Sequence, residues 1–325
     1  MLEVLAVISF VVAFAAVRVL ISRFGRVALD RPNPRSLHQH PVPRTGGLAV
    51  LFGALTSLAF GAAALGIPVT VALCLAALSF ADDLYGLPTA LRLLGHVVAA
   101  AVLVWYVLTP MQPLELVLIG LGVAWITNVY NFMDGADGLA AGMSVIGFGA
   151  YALAAVSQGD AGIAALSLAL AAAALAFLVH NFHPARIFLG DVGSIPLGFL
   201  AGALGIIGWR NDLWPLWFPV LVFGPFIADS TVTLIRRLLR GERVWQAHRE
   251  HYYQRMVRLG AGHRRTALIL YALMLVCATA ALYGRTQPPL LQAAAFACAS
   301  AFLAVAAIAV DWLWLRHQRT QGRSS

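Results

Sequence analysis

The chain has 325 residues, of which 61% are hydrophobic and only 11% are charged. A soluble domain carries roughly 25% charged residues, so this composition excludes a water-soluble fold. Its 22 basic residues are all arginine and outnumber the 14 acidic residues. Apolar segments recur along the whole length, each long enough to cross roughly 30 Å of hydrocarbon. We therefore expect a single integral membrane domain over 1–325, with the lipid bilayer as a partner and no nucleic acid partner.

Hydropathy and helix breaks predict an all-α polytopic transmembrane helical bundle of about eleven spans. The first segment begins with an acidic residue and has no basic region before it, so we interpret it as a retained span rather than a signal peptide. Cys74, Cys277 and Cys298 lie far apart inside apolar segments and are interpreted as unreactive buried thiols. The predicted spans are 3–22, 46–65, 67–82, 92–109, 114–131, 138–157, 161–180, 194–209, 214–236, 265–283 and 289–315.

The distribution of arginine predicts the orientation of these spans. Short cytoplasmic loops retain basic residues, whereas loops on the far side are poor in them. One set of connections here holds only Arg210 and Arg285, so the N-terminus is predicted outside and the C-terminus in the cytoplasm. The inner connections also concentrate Asp, Asn, His and Gly, which indicates a functional site at that face. These arginine-rich connections are 23–45, 82–92, 131–137, 181–193 and 237–264, together with the C-terminal tail.

Two adjacent carboxylates, Asp82 and Asp83, lie at the inner end of the third predicted span. An Asp at the centre of a membrane helix costs about 2.5 to 3.5 kcal/mol on insertion, and this cost falls toward the interface. A solvated helix end and a cation or proton-transfer site both explain the pair. Arg92 and His96, one turn apart on the fourth span, are expected to face the same place.

Polar side chains recur at every third position at Asn128, Asn131, Asp134 and Asp137. A helix through this stretch would align the four side chains on one face. A glycine follows each of the two aspartates and permits a tight turn after the span. An ordinary Asp-Gly turn explains two of the four residues but not their spacing, so this cluster is the strongest signal in the chain.

A glycine-rich turn from Phe188 to Ser194 opens the eighth predicted span. Backbone N–H groups at such a helix start suit phosphate, and Asp191 offers oxygen to a hard cation. A generic Gly-Asp loop is the alternative interpretation.

The long inner loop contains His248, Arg249, His251 and Arg255. Zinc is disfavoured because no third ligand of matching spacing follows. Contact with phosphate or anionic headgroups is favoured, and cytoplasmic charge alone is the alternative. The proline-stiffened loop 30–47 adds three candidates, Arg35, His38 and Arg44.

Together these clusters supply carboxylates for Mg²⁺ and arginines for phosphate, which is the equipment of phosphoryl transfer. A secondary transporter is the main alternative, with Asp229 and Asp311 as its candidate intramembrane charges. The chain shows no fixed-period repeat, which disfavours that alternative. The Asp-Gly-x-x-Ala-Arg signature of the CDP-alcohol phosphotransferases is also missing from the sequence.

The order of the motifs resembles that of the polyprenyl-phosphate N-acetylhexosamine-1-phosphate transferase family over about residues 30–260. The matching motifs are Asp82-Asp83, Asn128-x-x-Asn131-x-x-Asp134-Gly-x-Asp137, Phe188-Leu-Gly-Asp191-x-Gly-Ser and the His-containing inner loop. This resemblance implies transfer of a sugar phosphate from a UDP-N-acetylhexosamine to undecaprenyl phosphate, with release of UMP. It also implies a site on the cytoplasmic face of the bacterial inner membrane.

The resemblance further implies roles for individual residues. Asp191 would coordinate Mg²⁺ with Asn131 as second ligand, and Mn²⁺ is an alternative ion. Asp137 would bind uracil and Phe188 would stack on it. The catalytic candidates are Asp82, which would handle the acceptor phosphate, with Asp83, Asp134 and His251. The remaining candidates for substrate binding are Asn128, Arg35, His38, Arg44, Arg92, His248, Arg249 and Arg255.

Two departures from the family pattern carry information. The chain contains no lysine, so arginine must supply every cationic phosphate contact. The histidines of the inner loop are spaced rather than adjacent, and this form resembles the branch that serves O-antigen and related surface polysaccharides. The sequence does not identify the N-acetylhexosamine, and a homodimer is one possible oligomeric state.

Overall fold

The computed structural model describes residues 1–25, 28–30, 41–244, 246 and 248–321. Helix accounts for 81% of the structure. Within the described ranges, the only strands are β1 (Leu29–Asp30) and β2 (Val42–Pro43), which form one short antiparallel pair. The prediction of an all-α polytopic membrane protein is therefore confirmed.

The described ranges contain thirteen α-helices, and most of them match predicted spans within a few residues. Nine helical segments in these ranges are long and apolar enough to cross a membrane: α1, α3 to α8, the continuous segment Tyr252–Gly284, and α13. The helices are α1 (Leu2–Phe24), α2 (Gly46–Leu55), α3 (Gly66–Tyr85), α4 (Thr89–Leu108), α5 (Pro113–Phe132), α6 (Leu139–Ser157), α7 (Ala161–Asn181), α8 (Asp191–Arg210), α9 (Trp217–Val222), α10 (Gly224–Leu239), α11 (Tyr252–Met256), α12 (Gly262–Gly284) and α13 (Pro289–Gln321).

Two of the eleven predicted spans are interrupted in the structure. The predicted span 46–65 becomes α2 followed by 3₁₀ turns on either side of Gly61, which has a φ of 107°. The predicted span 214–236 breaks between α9 and α10, where Pro225 stands in the first turn of α10. Proline lacks a backbone N–H and fits the first turn of a helix but not its interior, so a new helix begins there.

The core of the bundle is formed by α6, α7 and α8, whereas α13 is almost entirely exposed on the outside. Close approach of α5 to α8 depends on Gly198, because a Cβ at this position would lie 2.6 Å from Tyr130 Cβ. Aromatic contacts then fix α5 and α6 against α10, including Tyr130 and Phe226 with ring centroids 5.3 Å apart. The Tyr130 hydroxyl hydrogen-bonds Ser144 on α6 at 2.7 Å. This core holds the ends of α5 and α8 in fixed positions.

The polar connections meet at one end of the bundle. This end contains the C-termini of α3, α5 and α7 and the N-termini of α4, α6, α8 and α12. Ion pairs across it join Arg92 of α4 to both Asp82 of α3 and Asp191 of α8. The acidic residues Asp160 and Asp212 lie at the opposite end, beyond the C-termini of α6 and α8. The assignment of the polar end to the cytoplasm stays a prediction.

Candidate active site

A cavity of about 200 Å³ lies at the polar end of the bundle. Its walls contain residues from five of the connections and helix ends described above. Six predicted site residues line it: Arg44, Asn131, Asp134, Asp137, Phe188 and Asp191. A larger cavity of about 380 Å³ lies between α10, α12 and α13, but its lining is almost wholly apolar. The smaller cavity is therefore the candidate active site.

Three carboxylates and two guanidinium groups form two sets of ion pairs beside the cavity. Arg44 Nη2 lies 2.9 Å from Asp83 Oδ1. Arg92 Nη1 lies 2.9 Å from Asp82 Oδ2 and 3.6 Å from Asp191 Oδ2. The second oxygen of Asp83 is buried and has no hydrogen-bond partner among the described residues. This cluster thus carries one more negative than positive charge and one unsatisfied buried oxygen, which favours binding of a cation.

Backbone pairing places Arg44 in this cluster. The Phe188 N–H donates to the carbonyl of Pro43 at 2.7 Å, and the Gly46 N–H donates to the carbonyl of Phe188 at 2.9 Å. Gly190 has a φ of 72°, and a Cβ there would lie 2.1 Å from the Arg44 carbonyl oxygen. Only glycine combines this conformation with so close a backbone contact. The loop after α7 therefore fixes both Arg44 and Asp191 at the cavity.

Oxygen atoms from α5, the α5–α6 connection and α8 converge on one wall. Asn131 hydrogen-bonds Asp191, and its Oδ1 accepts a hydrogen bond from Ser194 Oγ at 3.3 Å. Asp134 is half-buried at the cavity wall and accepts a hydrogen bond from the Gly190 backbone. Burial, together with the nearby charge of Asp191, raises the pKa of Asp134 well above its usual range. A bound divalent cation would offset this repulsion, so the donor set suits a hard metal ion.

The four polar residues spaced by three do not share one helix. Helix α5 ends at Phe132, and the chain turns before Gly138, which has a φ of 76° and opens α6. Asn131, at the end of α5, and Asp134 and Asp137, in this turn, nevertheless reach the cavity. Asn128 does not line it, because its side chain hydrogen-bonds His96 Nδ1 at 3.1 Å and the carbonyl of Ala124 at 2.7 Å. It lies behind the site rather than in it.

Asp137 is held by two histidines, His183 and His263, that are not among the residues predicted from the sequence. Its Oδ2 lies 2.7 Å from His183 Nδ1 and accepts the Ala185 N–H at 3.2 Å. His263 Nδ1 lies 3.2 Å from the Asp137 backbone nitrogen and 3.5 Å from Asp137 Oδ1. The two imidazole rings are parallel within 7°, with centroids 5.4 Å apart. Asp137, although it lines the cavity, is thus oriented by its surroundings.

The inner loop contributes less to the cavity than its composition indicated. His251 points at Asp229, with Nδ1 3.1 Å from Oδ1. Arg255 Nη1 forms an ion pair with Asp311 at 2.9 Å and does not line the cavity. Gln254 is the residue of this segment that reaches the cavity wall. The loop therefore closes the site through a short capped helix rather than through its arginine.

The first part of the inner loop is tied to α10. Glu250 pairs with Arg237 at 2.9 Å and with Arg240, and neither Arg249 nor His248 lines the cavity. Burial, with the neighbouring His251 and Arg237, lowers the pKa of His248 to about 4. This shift favours the neutral form of His248, and its role in substrate binding stays a prediction.

Two predicted residues, Arg35 and His38, lie outside the described residues. Conversely, four lining residues with polar side chains were missed: Asp30, Asn181, Gln254 and His263. Gln254 and Asp30 belong to arginine-rich connections that contain other predicted site residues. The position of His263 at the start of a span, after an arginine-rich loop, was the available signal for that residue.

Comparison with known proteins places the chain in a family. Residues 65–209 match the model described as glycosyl transferase family 4. The chain is 33% identical over 293 residues to a probable undecaprenyl-phosphate N-acetylglucosaminyl 1-phosphate transferase of Bacillus subtilis, with 82% of this chain and 81% of that protein covered. It is 32% identical to a decaprenyl-phosphate N-acetylglucosaminephosphotransferase of Mycolicibacterium smegmatis, with 78% and 74% covered.

A third relative covers a shorter part of the chain. It is a phospho-N-acetylmuramoyl-pentapeptide-transferase of Anoxybacillus flavithermus, 34% identical over 180 residues, with 51% of this chain and 53% of that protein covered. The family match at 65–209 contains Asp137 and Asp191, which line the cavity, and Asp82, which is linked to Asp191 through Arg92. These similarities show that the chain belongs to glycosyl transferase family 4, together with the polyprenyl-phosphate N-acetylhexosamine-1-phosphate transferases.

Proposed function

We propose that this membrane enzyme transfers N-acetylhexosamine-1-phosphate from a UDP-sugar to undecaprenyl phosphate and releases UMP. The observation that carries the proposal is the cavity at the polar end, where carboxylate and amide oxygens meet paired arginines. The names of the longer relatives contain undecaprenyl or decaprenyl phosphate and N-acetylglucosamine, which makes UDP-N-acetylglucosamine the first donor to test. The reaction would take place at the cytoplasmic face of the bacterial inner membrane and initiate a lipid-linked surface glycan of the O-antigen type.

The donor set at the cavity fits a magnesium ion. Asp191 and Asn131 would hold it, with Asp134 and the unpartnered oxygen of Asp83 close by. All of these are oxygen ligands, which Mg²⁺ and Mn²⁺ prefer in proteins. When bound, the ion would neutralise negative charge on the donor pyrophosphate.

The residues of the chain would divide the remaining tasks. An oxygen of the polyprenyl phosphate attacks the β-phosphorus of the donor, and the bond from this phosphorus to the UMP oxygen breaks. Arg44 and Arg92 bind phosphate oxygens when some of their N–H groups leave the carboxylates of Asp83 and Asp82 and donate to phosphate. Asp82 positions the incoming phosphate through Arg92, while Phe188 and Asp137 hold the uracil. Positioning and charge neutralisation contribute most to catalysis of phosphoryl transfer, so little covalent chemistry is required of the protein.

The two carboxylates that a transporter would use, Asp229 and Asp311, have structural partners in this chain. Asp229 accepts hydrogen bonds from the backbone of α11, and Asp311 pairs with Arg236 and Arg255 near the polar end. Each carboxylate therefore has a structural partner, as expected of residues that hold elements together rather than carry ions.

The test of the proposal is replacement of Asp191 by asparagine. We expect the variant to lose UMP release by at least about 10²-fold, because an amide carries no charge for the cation and the phosphates. The assay contains purified protein, Mg²⁺, undecaprenyl phosphate and a panel of UDP-N-acetylhexosamines, and it records UMP and lipid-linked sugar. Asp212→Asn is the matched control, because Asp212 is exposed just beyond the other end of α8. Equal activity of both variants and wild type would remove Asp191 from the metal site.

A further inference from the structure

The carboxylate of Asp137 is held so that one oxygen is occupied and the other is left for the cavity. Oδ2 accepts two hydrogen bonds, from His183 Nδ1 at 2.7 Å and from the Ala185 N–H at 3.2 Å. Asp137 and His263 line the cavity, whereas His183 and Ala185 do not. No described residue donates a hydrogen bond to Oδ1, so this is the oxygen that a ligand in the cavity can use.

The two histidines have opposite hydrogen-bonding roles. A carboxylate oxygen accepts, so His183 must carry its proton on Nδ1. His263 Nδ1 accepts the backbone N–H of Asp137 at 3.2 Å, so its proton lies on Nε2. His263 Nδ1 is also 3.5 Å from Asp137 Oδ1, but two acceptors form no hydrogen bond. Oδ1 can therefore accept a hydrogen bond from a ligand in the cavity but cannot donate one.

A carboxylate oxygen at the cavity wall discriminates between pyrimidine bases. Uracil has an N–H donor at N3, which this oxygen accepts, whereas the N3 atom of cytosine is an acceptor and meets the oxygen with a lone pair. A site built for a donor rejects a ligand that lacks one, because the buried polar group is then left unpaired. This discrimination requires the carboxylate to keep one rotamer, which depends on the groups that hold it.

We propose that His183 and His263 are positioning residues that fix the orientation of Asp137 and thereby set the preference of the cavity for uracil over cytosine nucleotides. This inference rests on the proposed function, since it assigns the base of the donor to this part of the cavity. His183 fixes the carboxylate and His263 fixes the backbone of the same residue. The two contacts act on Asp137 from different elements, the α7–α8 connection and α12.

A metal ion is the competing explanation for this cluster. One ligand atom from each of Asp137, His183 and His263 lies within 4.8 Å of the other two. The parallel rings and the bond from the Asp137 backbone to His263 Nδ1 favour the hydrogen-bonded arrangement. Coordination would instead require the Nδ1 lone pair of His263 to turn from the backbone N–H to an ion.

The experiment compares UDP and CDP binding to purified protein by titration calorimetry. We expect His183→Ala to lower the UDP preference over CDP by about tenfold, which corresponds to about 1.4 kcal/mol. His183→Asn should restore most of the preference, because the asparagine amide places a donor near the position of Nδ1. His263→Ala, which leaves the His183 contact in place, should also lower the preference for UDP over CDP. His317→Ala, near the end of α13 beside Trp314, is the control and should keep the wild-type ratio.

Kinetics separate positioning from a general loss of structure. The His183→Ala variant should raise the donor KM about tenfold and change kcat less than about threefold, because a binding contact is weakened in the ground state and transition state alike. An unchanged UDP/CDP ratio in both alanine variants would overturn the inference. Equal behaviour of His183→Ala and His183→Asn would overturn it as well. The inference would also be overturned if the wild-type protein contained one zinc ion per chain and His183→Ala lost this ion.

The failure of this inference differs from the failure of the proposed function. If wild-type protein binds UDP and forms lipid-linked sugar while the alanine variants keep the UDP/CDP ratio, only the positioning role is wrong. If wild-type protein neither binds UDP nor releases UMP, the proposed function itself is wrong.

Discussion

Replacement of Asp82 by asparagine is expected to lower turnover by about 10² to 10⁴-fold, the range found for removal of a group that acts on a proton or orients a reactant. Asp82 Oδ1 accepts the Leu87 N–H at 2.7 Å, and Oδ2 accepts Arg92 Nη1 at 2.9 Å. Asparagine preserves the shape but removes the charge that orients this guanidinium. Donor affinity should stay within about twofold, because Asp82 does not line the cavity that would hold the nucleotide.

Turnover is measured by UMP release and donor affinity by calorimetry on the same preparation. The matched control is Asp160→Asn at the opposite end of the bundle. Asp160 caps α7 through the Ile163 N–H at 2.8 Å, and asparagine caps a helix as well as aspartate does. Unchanged turnover of Asp82→Asn would remove this residue from the chemistry. If donor affinity fell together with turnover, Asp82 would act on the donor nucleotide and not on the acceptor phosphate.

Replacement of Asp229 by alanine is expected to lower turnover by about 10²-fold, although Asp229 does not line the candidate active-site cavity. Its side chain is buried, and it accepts hydrogen bonds from the Tyr252 N–H at 2.9 Å and the Tyr253 N–H at 3.0 Å. It also lies 3.1 Å from His251 Nδ1. Without it, the first turn of α11 loses its cap and Gln254 shifts at the cavity. A displacement of about 1 Å in a positioning element is sufficient for a loss of this size.

The thermal unfolding midpoint of the purified protein should fall as well, because loss of a helix cap costs about 0.5 to 2 kcal/mol. Asp229→Asn should give an intermediate loss, since it keeps one carbonyl oxygen for the backbone. Ser230→Ala is the control, because the Ser230 hydroxyl is buried without a hydrogen-bond partner among the described residues. Wild-type turnover of Asp229→Ala in folded protein would show that α11 does not position the site.

Topology explains why much of the site was predictable from the sequence. Polar clusters at alternate connections of a membrane bundle must lie at the same end, since each span reverses the chain. Asn131, Asp134 and Asp137 were selected by their spacing and Asp191 by its glycine-rich turn, and the structure places all four on one cavity. Their individual roles stay predictions. The interruption of the predicted span 214–236 was also visible in the sequence, because Pro225 stands inside it.

Pairing between distant residues could not be predicted in this way. Arg255 resembled a phosphate ligand, but its partner Asp311 lies on α13, far along the chain. Asp229 resembled an intramembrane charge on a transport pathway, because hydrophobic periodicity does not show that backbone N–H groups of α11 surround it. His183 and His263 are isolated in the sequence, and only the fold brings them to Asp137.

The central claim is that the cavity at the polar end transfers the sugar-bearing β-phosphate to a lipid phosphate. The most direct measurement uses UDP-N-acetylglucosamine radiolabelled at the β-phosphorus, with undecaprenyl phosphate, Mg²⁺ and purified protein. We expect the label to enter the lipid product together with the sugar while the released UMP stays unlabelled. Release of free labelled phosphate or sugar phosphate without any labelled lipid, for every UDP-N-acetylhexosamine tried, would contradict the account.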